Sequence, residues 1–500
     1  MSIIKRQTIL GTIYSYIGVV VGTLTMALIV PNFFSVEEYG LINILSRYMM
    51  VLVVAASLGY NNAGTRFFKY FRDPARNHKG YLFNGLCVLG VGLLLTALFL
   101  FFFKDRIVKT NSGDNRLFVN YYYLLLPLII STGVFNLFDN YAKGLYDTVM
   151  GTFLSQLLQR ALVLVCVIVH IAGLIDFRTF MYWWVAAMSA PMLFMILHSM
   201  RLGSFSLRPD GFLWNSPIKE EFFRFAGFSV LTGVSSMVIT ALDTMMVYRI
   251  LGLGMSGVYN FCLLFGSVMT MSYNANVKAS TPIVMDAIQK KENWRIEGIF
   301  KKSGTTQLMF GTVLLVLVWV SVDGLFSLVK PEYLLGKTAL IIIGISKLYD
   351  LSCGVNSLIL AYSRYYKYDS FLVLSFIGIL YVLNHYLIPP YGLEGAAYAT
   401  LIATIYYNTA RNILIWKFFR IHPYSWGQVK IVGIGAALLV LGMLLPELKG
   451  SVLLSLLSIS YRSVILILCF AGLFYVTNIS QEVSEVMEKA VKMGRAFLRL

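Results

Sequence analysis

Charge is scarce in this 500-residue chain: Asp, Glu, Lys and Arg make up 13% of it, against 58% hydrophobic residues. A soluble protein of this size divides into domains and covers its surface with charge. A water-solvated globule is therefore excluded, and the solvent must be lipid. Cysteine is also rare. The five present, Cys87, Cys166, Cys262, Cys353 and Cys469, fall in apolar stretches and form no CxxC pair. They read as buried packing residues, indicating neither a disulfide framework nor a metal site. No Walker loop, HExxH pair or long extramembrane insert occurs, so no cofactor, metal or catalytic residue is expected. The alternating pattern of a membrane barrel is missing too, which leaves the α-helix as the spanning element.

A helix needs roughly 20 apolar residues to cross the hydrocarbon core. Such stretches lie near 8–30, 41–60, 81–103, 119–138, 149–172, 180–200 and 225–248. Others follow near 254–275, 305–322, 337–362, 370–388, 394–416, 429–446 and 453–477. The expectation is an all-α polytopic membrane protein of about fourteen transmembrane helices. The first stretch is too long for a signal-peptide core and lacks a small-x-small cleavage site, so it reads as a retained helix. The net charge of +17 would suit nucleic acid only if gathered on a soluble face, and no soluble domain is expected. With the N-terminus inside, inner loops hold 26 Lys and Arg and outer loops 9. That bias predicts cytoplasmic N- and C-termini and makes the basicity a topology signal.

Gly40-Leu41-Ile42-Asn43 is echoed by Gly257-Val258-Tyr259-Asn260, 217 residues on, and Asn136 and Tyr146 by Asn356 and Tyr366, 220 residues on. A common offset near half the chain predicts a duplicated bundle, typical of transporters. Six helices precede the polar break at Arg201–Arg224, so the halves share orientation as a parallel pseudo-twofold repeat. The expected organisation is an N-lobe over 1–200, a cytoplasmic amphipathic linker over 201–224 and a C-lobe over 225–420. Two further helices over 421–480 and a basic amphipathic tail over 481–500 complete it. Ser216 is expected to cap the seventh helix, with Pro217 at its first position.

Polar residues recur at helical spacing on six spans, where residues three and four apart share a face. They are Asn43, Arg47, Ser57 and Asn61; Thr152, Gln156, Gln159 and Arg160; Ser229, Gly233, Ser236, Thr240 and Asp243. In the second half they are Asn260, Ser267, Thr270 and Asn274; Ser346, Lys347, Asp350, Gly354 and Ser357; Thr400, Thr404, Asn408 and Arg411. Any one stripe reads equally as helix–helix glue, but six spread over both halves favour a shared polar cavity. Intramembrane cations sharpen the reading, because a charge at the bilayer centre costs roughly 2.5–3.5 kcal/mol even on insertion scales. Arg47 and Arg160 have no acid within a helical turn and are the leading candidates. Lys347 and Asp350 read equally as a self-neutralising pair, Arg411 equally as a snorkelling residue, and Arg462 as a snorkeller. Unpaired arginines imply an anionic ligand and suit phosphate, whose oxygens match the guanidinium fork. Asp243 is read as a partner for one of these cations or as a site for a coupling proton or Na⁺. Gly18 and Gly22 form a GxxxG face that reads as close packing on a neighbour.

The segments Phe34-Ser35-Val36-Glu37-Glu38-Tyr39-Gly40-Leu41, Ala241-Leu242-Asp243-Thr244 through Gly257-Val258-Tyr259, and Tyr391-Gly392-Leu393-Glu394-Gly395-Ala396-Ala397 carry a resemblance. Over its whole length the chain resembles the Wzx-type polysaccharide flippases of the multidrug/oligosaccharidyl-lipid/polysaccharide (MOP) exporter superfamily. The resemblance implies a two-lobed, MATE-like transporter of the bacterial inner membrane. It would flip undecaprenyl-pyrophosphate-linked oligosaccharide, with H⁺ or Na⁺ as a candidate coupling ion and polymerase or export machinery as candidate partners. It maps the cationic cavity onto Arg47, Arg160 and either Lys347 or Arg411, with Arg66 at the inner mouth and Asn43 and Asn260 heading the stripes. One departure is Phe228-Ser229, where relatives often carry Pro early in the seventh helix. Two rivals share the fold: a lipid II flippase, and a drug/cation antiporter, which would prefer acids in its cavity. A membrane glycosyltransferase or polymerase is disfavoured because the largest outer loop, Lys104–Arg116, is too short for its catalytic motifs.

Overall fold

In the computed structural model, which describes residues 3–109, 116–202, 205–448 and 450–477, every regular element among the described residues is a helix. In lipid each backbone N–H and C=O must be paired within its own segment, and an isolated apolar run meets that only as a helix. Twelve of these helices are long and apolar enough to cross a membrane. There are thirteen if Pro331–Ser352 and Asn356–Tyr362, bent by 52°, form one span. The expected tail 481–500 lies outside the described residues, as does 110–115 of the outer loop.

The expected count was near fourteen, and part of the difference lies in 370–388 and 394–416, which form one helical run, Tyr366–Phe419. That run turns back at Gly392 (φ 58°, ψ −131°), just after Pro389-Pro390. Residues of its two arms meet in inverse order. Tyr365 stacks on Phe418 at 3.8 Å, Arg411 Nε donates to Asp369 at 2.8 Å, and Ser375 Oγ lies 3.0 Å from Tyr406 Oη. Phe376 and Tyr407 follow with ring centroids 4.9 Å apart. The run is a helical hairpin with antiparallel arms.

The chain divides into two compact units, Met1–Gly257 and Val258–Leu500. In the first, Ser35-x-x-Glu38 forms a capping box: Ser35 Oγ accepts from Glu38 N–H at 3.1 Å, and Glu38 Oε2 accepts from Ser35 N–H at 2.8 Å. It opens helix Val36–Ala56 five residues before the expected span. Gly59 (φ 73°) then turns the chain into Tyr60–Phe71. An aromatic cluster of Tyr60, Phe67, Phe71, Tyr81 and Phe222 ties that helix to Lys219–Leu251, with Phe222 ring distances of 5.4–6.1 Å. Helix Lys219–Leu251, expected to open the second lobe, thus packs inside the first unit. Its N-cap is Ile218 and not Ser216, whose hydroxyl accepts from Ile218 N–H at 3.4 Å. Pro217 therefore precedes the cap instead of occupying the first helical position.

The repeated glycines meet each other within this unit. A β-carbon on Gly40 would lie 2.1 Å from the Leu253 carbonyl oxygen, and one on Gly257 would lie 3.1 Å from Gly40 N and 2.5 Å from the Val36 oxygen. Only hydrogen fits at either position.

In the second unit, Asn293–Val320 packs against Lys337–Ser352 and Trp426–Leu444, while the hairpin packs on Lys337–Ser352. Arg462 of helix Val452–Thr477 does not snorkel. It is buried and donates to the carbonyls of Val320 (2.9 Å), Gly442 (3.0 Å) and Leu445 (3.1 Å). These oxygens sit at the C-terminal ends of two helices, where carbonyls lack intrahelical partners and the dipole favours a cation.

Candidate functional site

Arg160 opens helix Gln159–Ile171, directly after a π-helical segment, Phe153–Leu158. Such widened turns cluster at functional sites because the extra residue re-aims the side chains that follow. Half-buried, Arg160 donates from Nη2 to Gln156 Oε1 at 3.1 Å, a neutral acceptor. Among the described residues no carboxylate pairs with it. The first helix makes room for it. A β-carbon on Gly22 would lie 2.9 Å from Arg160 Cδ, and one on Gly18 would lie 1.9 Å from the Gln156 oxygen. The GxxxG face packs closely, as expected, and what it packs on is the arginine turn.

Arg47 has a different setting. Helix Lys219–Leu251 packs along Val36–Ala56 and brings Asp243, itself buried, within electrostatic reach of Arg47. Arg47, unpaired by sequence spacing, is thus compensated through space, and Asp243 takes the cation-partner role. Asn43 does not project into free space: its Nδ2 donates to the Tyr39 carbonyl at 2.8 Å. Arg66 is exposed, 3.9 Å from Glu221 Oε1, with its guanidinium 4.5 Å from the Phe225 ring centroid.

The second-unit stripes mostly bond each other. Asp350 Oδ1 accepts from Asn408 Nδ2 at 2.8 Å, and Asn408 Oδ1 accepts from Asn356 Nδ2 at 2.9 Å. Asn356 also reaches Asn412 at 3.3 Å, and Ser346 Oγ donates to Thr404 at 3.2 Å. Thr400, Thr404, Asn408 and Arg411 are all buried. This is interhelical glue, the bland alternative, and it fastens the hairpin to Lys337–Ser352. Arg411 neither snorkels nor stands open to a ligand: its Nε donates to Asp369 and it lies 4.0 Å from the Tyr407 ring centroid. Asn260 is also buried.

Lys347 and Asp350 do not pair with each other. Lys347 runs its alkyl stem past Gly266, whose β-carbon would lie 3.5 Å from Lys347 Cγ, and among the described residues it has no carboxylate partner. Ser236, Ser267 and Asn274 are exposed. Ser267 satisfies its hydroxyl on the Leu264 carbonyl at 2.6 Å.

Sequence reasoning missed three polar pairs. Asp139, buried in helix Leu125–Gly144, pairs with Lys143 one turn on. His198 Nε2 lies 2.6 Å from Asp147 Oδ2, and Arg76 lies 3.4 Å from Asp210. The Asp139–Lys143 spacing of four was visible in the sequence; the other two join residues far apart in the chain and leave no local signal.

An all-helical membrane protein with cations held inside its spans has the architecture of a multi-span exporter, and solved structures bear this out at the level of fold. The lipid II flippase MurJ in an inward closed conformation superposes with a TM-score of 0.69 over 94% of this chain and all of its own, at 14% identity. An inward-facing multidrug-resistance MATE transporter of the MOP superfamily gives 0.62 over 83% of this chain and 95% of its own, at 15% identity. A MOP superfamily transporter from Pyrococcus furiosus, whose reversed pocket polarity suggests a different function for it, gives 0.53 over 85% and 94%, at 14% identity. The chain belongs to the polysaccharide biosynthesis protein family, whose profile matches residues 4–288. No curated protein matches the sequence closely enough to count as a relative.

Proposed function

We propose that this protein is a flippase that carries undecaprenyl-pyrophosphate-linked oligosaccharide units across the bacterial inner membrane, for surface or capsular polysaccharide such as O-antigen. One observation carries the reading: Arg160, inside a span, bonds the neutral Gln156 and has no carboxylate partner among the described residues. A pyrophosphate leaving water needs fixed cations, and a guanidinium offers two parallel donors to its oxygens. Family membership supplies the polysaccharide context. Arg160 is the residue we assign to the pyrophosphate, and Lys347 is a further candidate cation within the second unit. Arg66, exposed near the expected cytoplasmic side, would attract the head group. Arg47 and Arg411 we assign instead to holding Asp243 and Asp369. Asp350, which has an amide donor and, among the described residues, no cationic partner, is our candidate for a coupling proton or Na⁺.

The test is complementation of a strain lacking its polysaccharide flippase. Arg160→Ala should lower surface polymer roughly 10- to 100-fold, the equivalent of one charge-assisted hydrogen bond, and lipid-linked oligosaccharide should accumulate. Arg160→Lys should restore part of it. Wild-type polymer from Arg160→Ala would overturn the pyrophosphate assignment. The lipid II reading has the same head-group chemistry and a fold relative behind it. Growth rescue of cells depleted of their lipid II flippase would favour it over the polysaccharide reading.

A further inference from the structure

Helix Tyr81–Phe102 and the segment Tyr122–Leu124 border a groove of about 260 Å³ in the first unit. Ala97, Leu100 and Phe101 form one wall, Tyr122 and Tyr123 the other, and Lys104 stands on its rim. The tyrosine hydroxyls are already engaged. Tyr122 donates to the Leu100 carbonyl at 2.9 Å, and Tyr123 Oη lies 2.6 Å from Tyr182 Oη. What remains toward the groove is hydrocarbon and ring face. Its volume falls below the roughly 300–1,000 Å³ of pockets that enclose drug-sized ligands, so it suits a single hydrocarbon chain better than a head group.

Charge marks one end. Lys104 is exposed on the rim, and Arg178 lies within hydrogen-bonding reach of Tyr182, the partner of Tyr123. The acid beside Arg178, Asp176, is occupied in capping its own helix, accepting from Thr179 N–H at 3.1 Å. Asp105 is offset by Lys104 and Arg106 on either side, so the flank is net cationic. An apolar slot with ring faces and a cationic rim matches a lipid whose chain lies in the slot and whose phosphate meets the cations.

We propose that this groove holds one acyl chain of an anionic phospholipid of the surrounding membrane, with Lys104 and Arg178 beside its phosphate. A zwitterionic phospholipid would gain less from the rim, because its own head-group cation competes for the phosphate. The site stands apart from Arg160 and does not depend on what the protein transports.

Native mass spectrometry of the full chain in detergent tests this, with phosphatidylglycerol and phosphatidylcholine of identical acyl chains as probes. Phosphatidylglycerol should be retained preferentially. Lys104→Gln should weaken its binding about fivefold, the contribution of one cation beside an anionic lipid, and weaken phosphatidylcholine less, so that the preference narrows. Ala97→Trp should fill the slot and abolish the preference; Leu126→Trp, from the opposite wall, serves if that variant does not fold. Equal retention of the two lipids overturns the proposal, as does a preference untouched by the tryptophans. Displacement of phosphatidylglycerol by undecaprenyl phosphate at equal concentration also overturns it, since the occupant would then be the isoprenoid tail.

Discussion

Intramembrane arginines that look alike in sequence are told apart by what each touches. Arg160 bonds the neutral Gln156, Arg47 answers Asp243, Arg411 answers Asp369, and Arg462 holds three carbonyls. Removing one member of a buried ion pair strands its partner, a loss of about 3–5 kcal/mol. Arg47 is half-buried beside the buried Asp243, so Arg47→Met should destabilise the purified protein by about 3 kcal/mol or less, and Arg47→Met with Asp243→Leu should recover most of it. Thermal unfolding of the two variants beside the parent protein checks this. A double variant no more stable than the single one would remove the pairing. Arg462→Leu should lower stability by about 2–4 kcal/mol, because the carbonyls of Val320, Gly442 and Leu445 lose charge-assisted bonds worth 1.5–3 kcal/mol each, partly made up by water. Its transport per folded molecule should be unchanged in a liposome assay.

At the level of helices, the sequence was informative wherever one segment decides the outcome alone. Apolar runs of spanning length are local and correspond to helices; the Ser35/Glu38 box is equally local but went unread, and the helix it opens begins before the expected span. The start of Lys219–Leu251 was misread because Ser216 and Pro217 suit a cap in isolation, while packing of Phe222 into the aromatic cluster sets the turn two residues later. Arg160 was legible because an intramembrane cation is conspicuous by itself. Its quiet surroundings, and the Asn356–Asn408–Asp350 chain, depend on which helices become neighbours. The Gly392 turn gives a clean test. A β-carbon there meets no atom within 4 Å, yet the backbone is in a region open almost only to glycine. Gly392→Ala should lower stability by about 1–3 kcal/mol from strain alone. Gly378→Ala, equally unobstructed within a helical arm, should be neutral or stabilising by roughly 0.5–1 kcal/mol. Equal unfolding temperatures for the two would contradict the hairpin.

For the molecule as a whole, the arrangement in the membrane is open to direct measurement. The distribution of basic residues predicts that 205–211 lies inside and Arg106 outside. With the five native cysteines replaced, Ser206→Cys should react with a membrane-impermeant maleimide only in inverted vesicles, and Arg106→Cys only in intact cells. The reverse pattern would invert the orientation. The contact between Gly40 and Gly257 has a consequence of another kind. Each glycine is limited first by the carbonyl one turn before the other glycine, Leu253 for Gly40 and Val36 for Gly257, so a larger side chain at either position displaces the other's helix. Drift at one copy is thereby checked by the other, and the two share one mutational fate. An ancient doubling would fade at most positions as the copies diverge, and would stay readable longest where the copies touch.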